Sequence, residues 1–131
     1  MTEKLLLTGK THNVNGRNGS TRSADGKLDL QLPQPHPAAE NLFGAAWSAC
    51  YMGAIELAAG QHNVKLPSDI AVDAEIDLNL DDGSYFLRAR LNVSLPGIDR
   101  DLAQVLIEEA HGICPYSKAV HGNIDVTTNL L

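Results

Sequence analysis

Two cysteines, Cys50 and Cys114, are the residues whose chemistry could reach beyond packing. Cys50 stands in "AENLFGAAWSACYMGAIELAAG", a long apolar run. A thiol there is either a small core hydrophobe or a nucleophile held in a dry pocket. Apolar surroundings raise a thiol's pKa, and an ordinary thiol near ~8.5 is only a few per cent ionised at neutral pH. Cys50 is therefore reactive only if a cation reaches it from elsewhere, since no lysine or arginine lies between Asn41 and Val64. Cys114, in "HGICPYSKAV", precedes Pro115, a residue suited to the first position of a helical turn. A sulfur at such an N-cap faces N–H groups that favour a thiolate. The other reading is a buried cysteine at a helix-to-turn corner. The two are not a CxxC pair, and spacing leaves open whether they meet. His111, Cys114 and His121 have zinc-ligand types, but nothing else clusters with them, and no metal is expected. There is no GxSxG, Walker or dinucleotide fingerprint, and no cofactor is expected.

The elements that must position these thiols follow from periodicity. The 131 residues suit one domain, 1–131, and can bury a core without disulfide staples. Apolar residues make up 44% and charged residues 20%, an ordinary globular balance. The net charge of −6 and the scattered ten Lys and Arg disfavour nucleic acid and acidic membrane surfaces. "MTEKLLLTGKTHN" is too short in apolar residues for a signal-peptide core. The uncharged run Asn41 to Ile55 would reach roughly 22 Å as a helix, short of the ~20 residues of a membrane span. A cytoplasmic location is expected. Residues 3–8 read as a short strand. "NGRNG" and "ADGK" are turn signals among small strands, with Leu28, Leu30 and Leu32 alternating. Pro37 suits the first turn of a helix over Ala38 to Ala59, with Gly60 as its C-terminal cap. Leu42, Phe43, Ala46, Trp47, Cys50, Ile55 and Leu57 surround that helix, so it should be buried on most sides. Gly44, Ser48 and Met52, beside Ala45, Ala49 and Gly53, give it a mostly small-residue face.

"DIAVDAEIDLNL" and "SYFLRARLNVSL", joined by "DDG", form a hairpin. Ile70, Val72, Ala74, Ile76, Leu78 and Leu80 share one face, as do Tyr85, Leu87, Ala89, Leu91 and Val93. "DRDLAQVLIEEAHGI" is a helix, and "GNIDVTTNLL" a last strand. The order predicts an α+β fold. One sheet of five or six strands covers such a helix on one side only, so a homodimer with two helices packed between two sheets is expected.

"ENLFGAAWSACYMGAIELAAG" with "GICPYSKAVHGNIDVTTNL" resembles the OsmC/Ohr superfamily, and within it the organic hydroperoxide resistance (Ohr) branch. "NGRNGSTRSADGKLDLQL" and "LPGIDRDLAQVLIEEAH" are similar to the same branch, so the likeness covers nearly the whole chain in order. The resemblance implies antiparallel sheets around a buried central helix in an intertwined homodimer. It implies a thiol peroxidase that reduces organic hydroperoxides to alcohols and protects against oxidative stress. Cys50 would be the peroxidatic cysteine and Cys114 the resolving one. Arg17, in "NGRNG", would stabilise the thiolate and the peroxide, and Glu40 would orient Arg17. Glu40 precedes Cys50 by ten residues, roughly 15 Å along a straight helix, so it would act through the arginine. The implied reductant is a dithiol on a lipoylated protein. Phe43, Trp47, Met52, Ile113 and Tyr116 are candidates to line an apolar substrate pocket. The loop "LPQPHPAAEN" is shorter than the family pattern and has Ala39 before Glu40, while His121 stands where arginine is frequent. The alternative is a non-catalytic dimer of the same fold that binds a small apolar molecule.

Overall fold

The computed structural model describes residues 2–35 and 38–131. The expected role of Pro37 lies outside them. Contacts divide the chain into two compact units, Met1–Ala39 and Glu40–Leu131.

The first unit is an antiparallel meander of β1 (Thr11–Val14), β2 (Ser20–Ser23) and β3 (Asp29–Gln31). Both expected turns form. In the first, Gly16 adopts φ +107° and its carbonyl accepts from the Gly19 N–H at 2.9 Å. Gly19 is buried so tightly that a Cβ would meet the carbonyl oxygens of Leu32, Gly16 and Val14. In the second, Gly26 takes φ +77°, and Asp25 accepts from Ser23 and from the Lys27 N–H. The expected strand over residues 3–8 is absent among the described residues. Leu5, Leu6 and Leu7 are about four-fifths exposed, with no strand neighbour to hold them extended.

The second unit begins with the long helix α1 (Ala39–Gln61). It passes Gly60 and ends one residue later. Asn63, at φ +57°, takes the left-handed position, while the Val64 and Asn63 N–H groups bond the Ala59 and Gly60 carbonyls. This is a Schellman closure with asparagine in the role expected of glycine. α1 buries Gly44, Trp47, Ser48, Tyr51, Ala54, Ile55, Ala58 and Ala59, a stripe at helical spacing. Gly44 lets the helix approach β4 closely: a Cβ there would lie 3.4 Å from Ala74 and Ile76. Ala45, Ala46, Ala49, Gly53 and Leu57 are exposed, so the second unit by itself covers α1 on one face.

The hairpin β4 (Ala71–Asp81) and β5 (Ser84–Ser94) forms in the expected register, with Asp81 opposite Ser84. Asp82 and Gly83 both have positive φ, the geometry of a two-residue type I′ turn. Ala89, Leu91 and Val93 are fully buried against α1. Leu78, Leu80 and Tyr85, expected on the same face, are exposed, because the hairpin tip extends past the core of its unit. Asp99 caps α2 (Arg100–Ile113) by accepting the Leu102 N–H at 3.2 Å. α3 (Pro115–Val120) follows, then β6 (Asp125–Leu130). β6 pairs with β5 in parallel. The other strand pairs are antiparallel as expected, and this pair is the exception. The α2–α3 crossover carries the chain from the C-terminal end of β5 back to Arg88 in its N-terminal half, so β6 runs parallel to β5. The strands form two three-stranded sheets, β1-β2-β3 and β4-β5-β6, rather than one of five or six.

α1 has the length and hydropathy of a membrane span. Its fully buried Trp47, Tyr51 and Ile55 instead form the core of the second unit.

Candidate functional site

The second unit brings the two thiols together. Cys50 is half-buried at the middle of α1, and Cys114 is fully buried at the α2–α3 corner. Their Sγ atoms lie 3.4 Å apart, with the Cys114 thiol donating to the Cys50 sulfur. Two hydrogen bonds fix the helices that carry them. The Tyr51 hydroxyl donates to the Ile107 carbonyl at 2.6 Å and ties α1 to α2. Trp47 Nε1–H donates to Ser117 Oγ at 3.0 Å and ties α1 to α3.

The corner is built locally. Pro115 occupies the first turn of α3, where its missing N–H leaves no donor unsatisfied. The Cys114 N–H closes α2 on Ala110 O at 2.8 Å, and its carbonyl accepts from Lys118 N at 3.0 Å. Cys114 Sγ accepts from Ser117 N at 3.4 Å, so cysteine caps α3 as its position before proline predicts.

The unit alone does not ionise Cys50. Burial pushes its thiol up, the neighbouring Cys114 adds to the rise, and the Tyr116 N–H opposes it. Burial also raises the Tyr51 hydroxyl, which stays a donor at neutral pH. Burial lowers His111, which is therefore neutral there.

A cavity of about 710 Å³, whose wall holds neither thiol, is lined by Trp47, His111, Ser117, Val120, Ile124 and Val126, with Lys118 and His121 also on it. His111 Nδ1 lies 2.8 Å from Ser117 Oγ, and its Nε2 lies 2.8 Å from Thr128 Oγ1. Both ring nitrogens are thus engaged by hydroxyl groups.

Of the residues expected to line a pocket, Trp47 lies on this cavity. Phe43 packs edge-on against Trp47, with ring centroids 5.8 Å apart. Ile113 is half-buried against the core, Met52 is half-buried on α1, and Tyr116 is about half exposed. Sequence reasoning passed over Ser117 and Thr128 as site residues and weighed His111 only as a metal ligand. Ser117, inside "CPYS", and His111, one helical turn before Cys114, were the available signals. Glu40, half-buried in the first turn of α1, lines a separate cleft of about 340 Å³ with Ser48, Val72 and Ile76. Arg17 is exposed on the β1–β2 turn of the first unit, in a cleft of about 300 Å³ shared with Arg22, Asp29 and Pro33.

The family described as "OsmC-like protein" matches residues 32–129. The organic hydroperoxide resistance protein of Xanthomonas axonopodis pv. citri (strain 306) is 35% identical over 137 residues, covering 98% of this chain and 96% of that protein. The crystal structure of the organic hydroperoxide resistance protein OhrB of Bacillus subtilis superposes with a TM-score of 0.86 at 36% identity, covering 97% of this chain and 100% of that one. An organic hydroperoxide resistance protein from Elizabethkingia anophelis, crystallised with thiocyanate bound, gives a TM-score of 0.86 at 32% identity, covering 98% of each chain.

Proposed function

Because the chain belongs to the OsmC-like family, and within it to the organic hydroperoxide resistance branch, we propose that it is a thiol peroxidase that reduces organic hydroperoxides to alcohols. The observation that carries this reading is the 3.4 Å separation of two thiols, one half-buried and one fully buried. The Cys50 thiolate attacks the distal peroxide oxygen. The O–O bond breaks, the alkoxide leaves and takes a proton as the alcohol, and Cys50 becomes a sulfenic acid. The Cys114 sulfur then attacks the Cys50 sulfur. The S–O bond breaks, and the hydroxyl group leaves as water with the proton of the Cys114 thiol. A disulfide S–S bond is about 2.05 Å long, so the sulfurs have roughly 1.4 Å to close. An external dithiol, in this reading that of a lipoylated protein, reopens the bond by exchange and is itself oxidised to a disulfide.

Arg17 supplies the cation that the second unit lacks, and Glu40 orients it. A guanidinium is a fixed positive charge with a fork of donors, suited both to a thiolate and to charge developing on peroxide oxygens. The working form is a homodimer in which 1–131 acts as one domain. Its support is the exposed Ala45, Ala46, Ala49, Gly53 and Leu57 of α1 together with exposed Leu78, Leu80 and Tyr85, apolar surface of the kind buried at interfaces. A monomer at micromolar concentration in sedimentation velocity would contradict it. The protein acts in the cytoplasm against oxidative stress.

Turnover of cumene hydroperoxide with dihydrolipoamide tests the reading. Wild type should consume peroxide catalytically and Cys50→Ser should not. Equal, slow consumption by both would leave the second reading, a non-catalytic binder of a small apolar molecule, which the 710 Å³ cavity favours.

A further inference from the structure

We propose that His111 is a positioning residue for disulfide formation: acting through Ser117, it holds the corner that delivers the Cys114 sulfur to Cys50. The proposal rests on the reading of Cys50 and Cys114 as peroxidatic and resolving thiols.

Ser117 is buried. An indole N–H can only donate, so Ser117 Oγ accepts from Trp47 at 3.0 Å. In the tautomer protonated on Nε2, the single hydroxyl hydrogen of Ser117 donates to His111 Nδ1, 2.8 Å away, and Nε2–H donates to Thr128 Oγ1 at 2.8 Å. One neutral tautomer satisfies the whole chain. The chain links α1, α3, α2 and β6 in turn, and it ends against the strand that flanks β5.

Cys114 lies in sequence between two of its members, His111 and Ser117. His111 is one turn before it and Ser117 one turn after, and the Ser117 N–H reaches the Cys114 sulfur at 3.4 Å. On the other side, Trp47 is one turn before Cys50. Tyr51, the residue after Cys50, lies over the imidazole with ring centroids 4.5 Å apart. The same few contacts therefore register the Cys50 helix against the Cys114 corner. Disulfide formation must bring two sulfurs into bonding distance, and a misplacement near 1 Å can slow such a step by about 100-fold. Attack of Cys50 on an external peroxide does not need that register.

The test separates the two steps. Wild type, His111→Ala, His111→Gln and Ser117→Ala are mixed with one equivalent of cumene hydroperoxide and quenched at timed intervals. Dimedone traps Cys50 sulfenic acid, and mass spectrometry counts the Cys50–Cys114 disulfide. In His111→Ala the conversion of sulfenic acid to disulfide should be at least tenfold slower than in wild type, and the dimedone adduct accumulates. Glutamine carries one acceptor and one donor, so His111→Gln should recover most of the rate. Ser117→Ala should repeat the slow step. Wild-type disulfide rates in both His111→Ala and Ser117→Ala would overturn the proposal. If His111→Ala does not fold, Thr128→Val removes only the acceptor of Nε2–H. A slowed disulfide in that variant supports the proposal, and an unchanged rate overturns it. Should wild type itself form sulfenic acid but no disulfide, the resolving role of Cys114 falls, an outcome visible without any variant.

Discussion

Replacing Arg17 with alanine tests what ionises Cys50. Within the second unit every large influence but one raises the thiol: burial first, then Cys114, against the Tyr116 N–H. An ordinary thiol near ~8.5 is about 3% ionised at pH 7, and a thiol raised above that value is less so. If Arg17 keeps Cys50 ionised in the wild type, its loss cuts the thiolate population at pH 7 by at least about thirtyfold. The rate falls by less, because a more basic thiolate is more nucleophilic, with a Brønsted coefficient of ~0.4–0.5. The informative observable is therefore the inflection of the rate–pH curve. Iodoacetamide alkylation of Cys50 should inflect below neutrality in wild type and above the ordinary thiol value in Arg17→Ala. Peroxide turnover should drop in parallel. Superimposable curves would refute the arginine as the activating cation and leave the anionic sulfur without a source.

Gly19→Ala should destabilise the protein by ~1–3 kcal/mol in chemical denaturation, because its Cβ meets three backbone carbonyls that cannot swing away. Gly9→Ala, where a Cβ has nothing within 4 Å, is the control and should change little. Burial lowers His111 below its ordinary 6.5, so the unfolded chain takes up its proton first as the pH falls. That stability is fully present above the ordinary value and is lost as pH drops through it toward the lowered one. The melting temperature should fall between pH 7.5 and 5.5 in wild type, and less steeply in His111→Gln. For the substrate, each buried CH₂ is worth about 0.8 kcal/mol, so four carbons should favour an alkyl hydroperoxide over hydrogen peroxide by roughly 100-fold in kcat/KM. Equal values would remove the apolar pocket from the account.

The features legible in the sequence are those set by local chemistry. Alternation flanking "DDG" gave the hairpin to within two residues at each end, with Asp81 joining the strand because the turn needs only Asp82 and Gly83. Cys114 before Pro115 foretold a capped corner for the same local reason. Distant pairing was less legible. Nothing in "GNIDVTTNLL" says that it lies parallel to β5, since strand direction is set by the crossover rather than by the strand. Leu78, Leu80 and Tyr85 alternate correctly yet are exposed, because periodicity names a face and not what covers it. At the site, sequence reasoning isolated both thiols but could not bring them together, since their meeting depends on how α1 packs against the α2–α3 corner. It passed over Ser117 and Thr128 because hydroxyl groups acquire their role only through partners distant in sequence.

The central claim is that Cys50 and Cys114 form a reversible redox pair. Wild-type protein should be treated with one equivalent of cumene hydroperoxide, blocked with an alkylating agent and digested without reductant. The account predicts one intrachain peptide pair joined through Cys50 and Cys114, absent before treatment and lost on adding dihydrolipoamide. Protein in which Cys114 is fully alkylated while Cys50 is either unreacted or oxidised to sulfinic acid would contradict it.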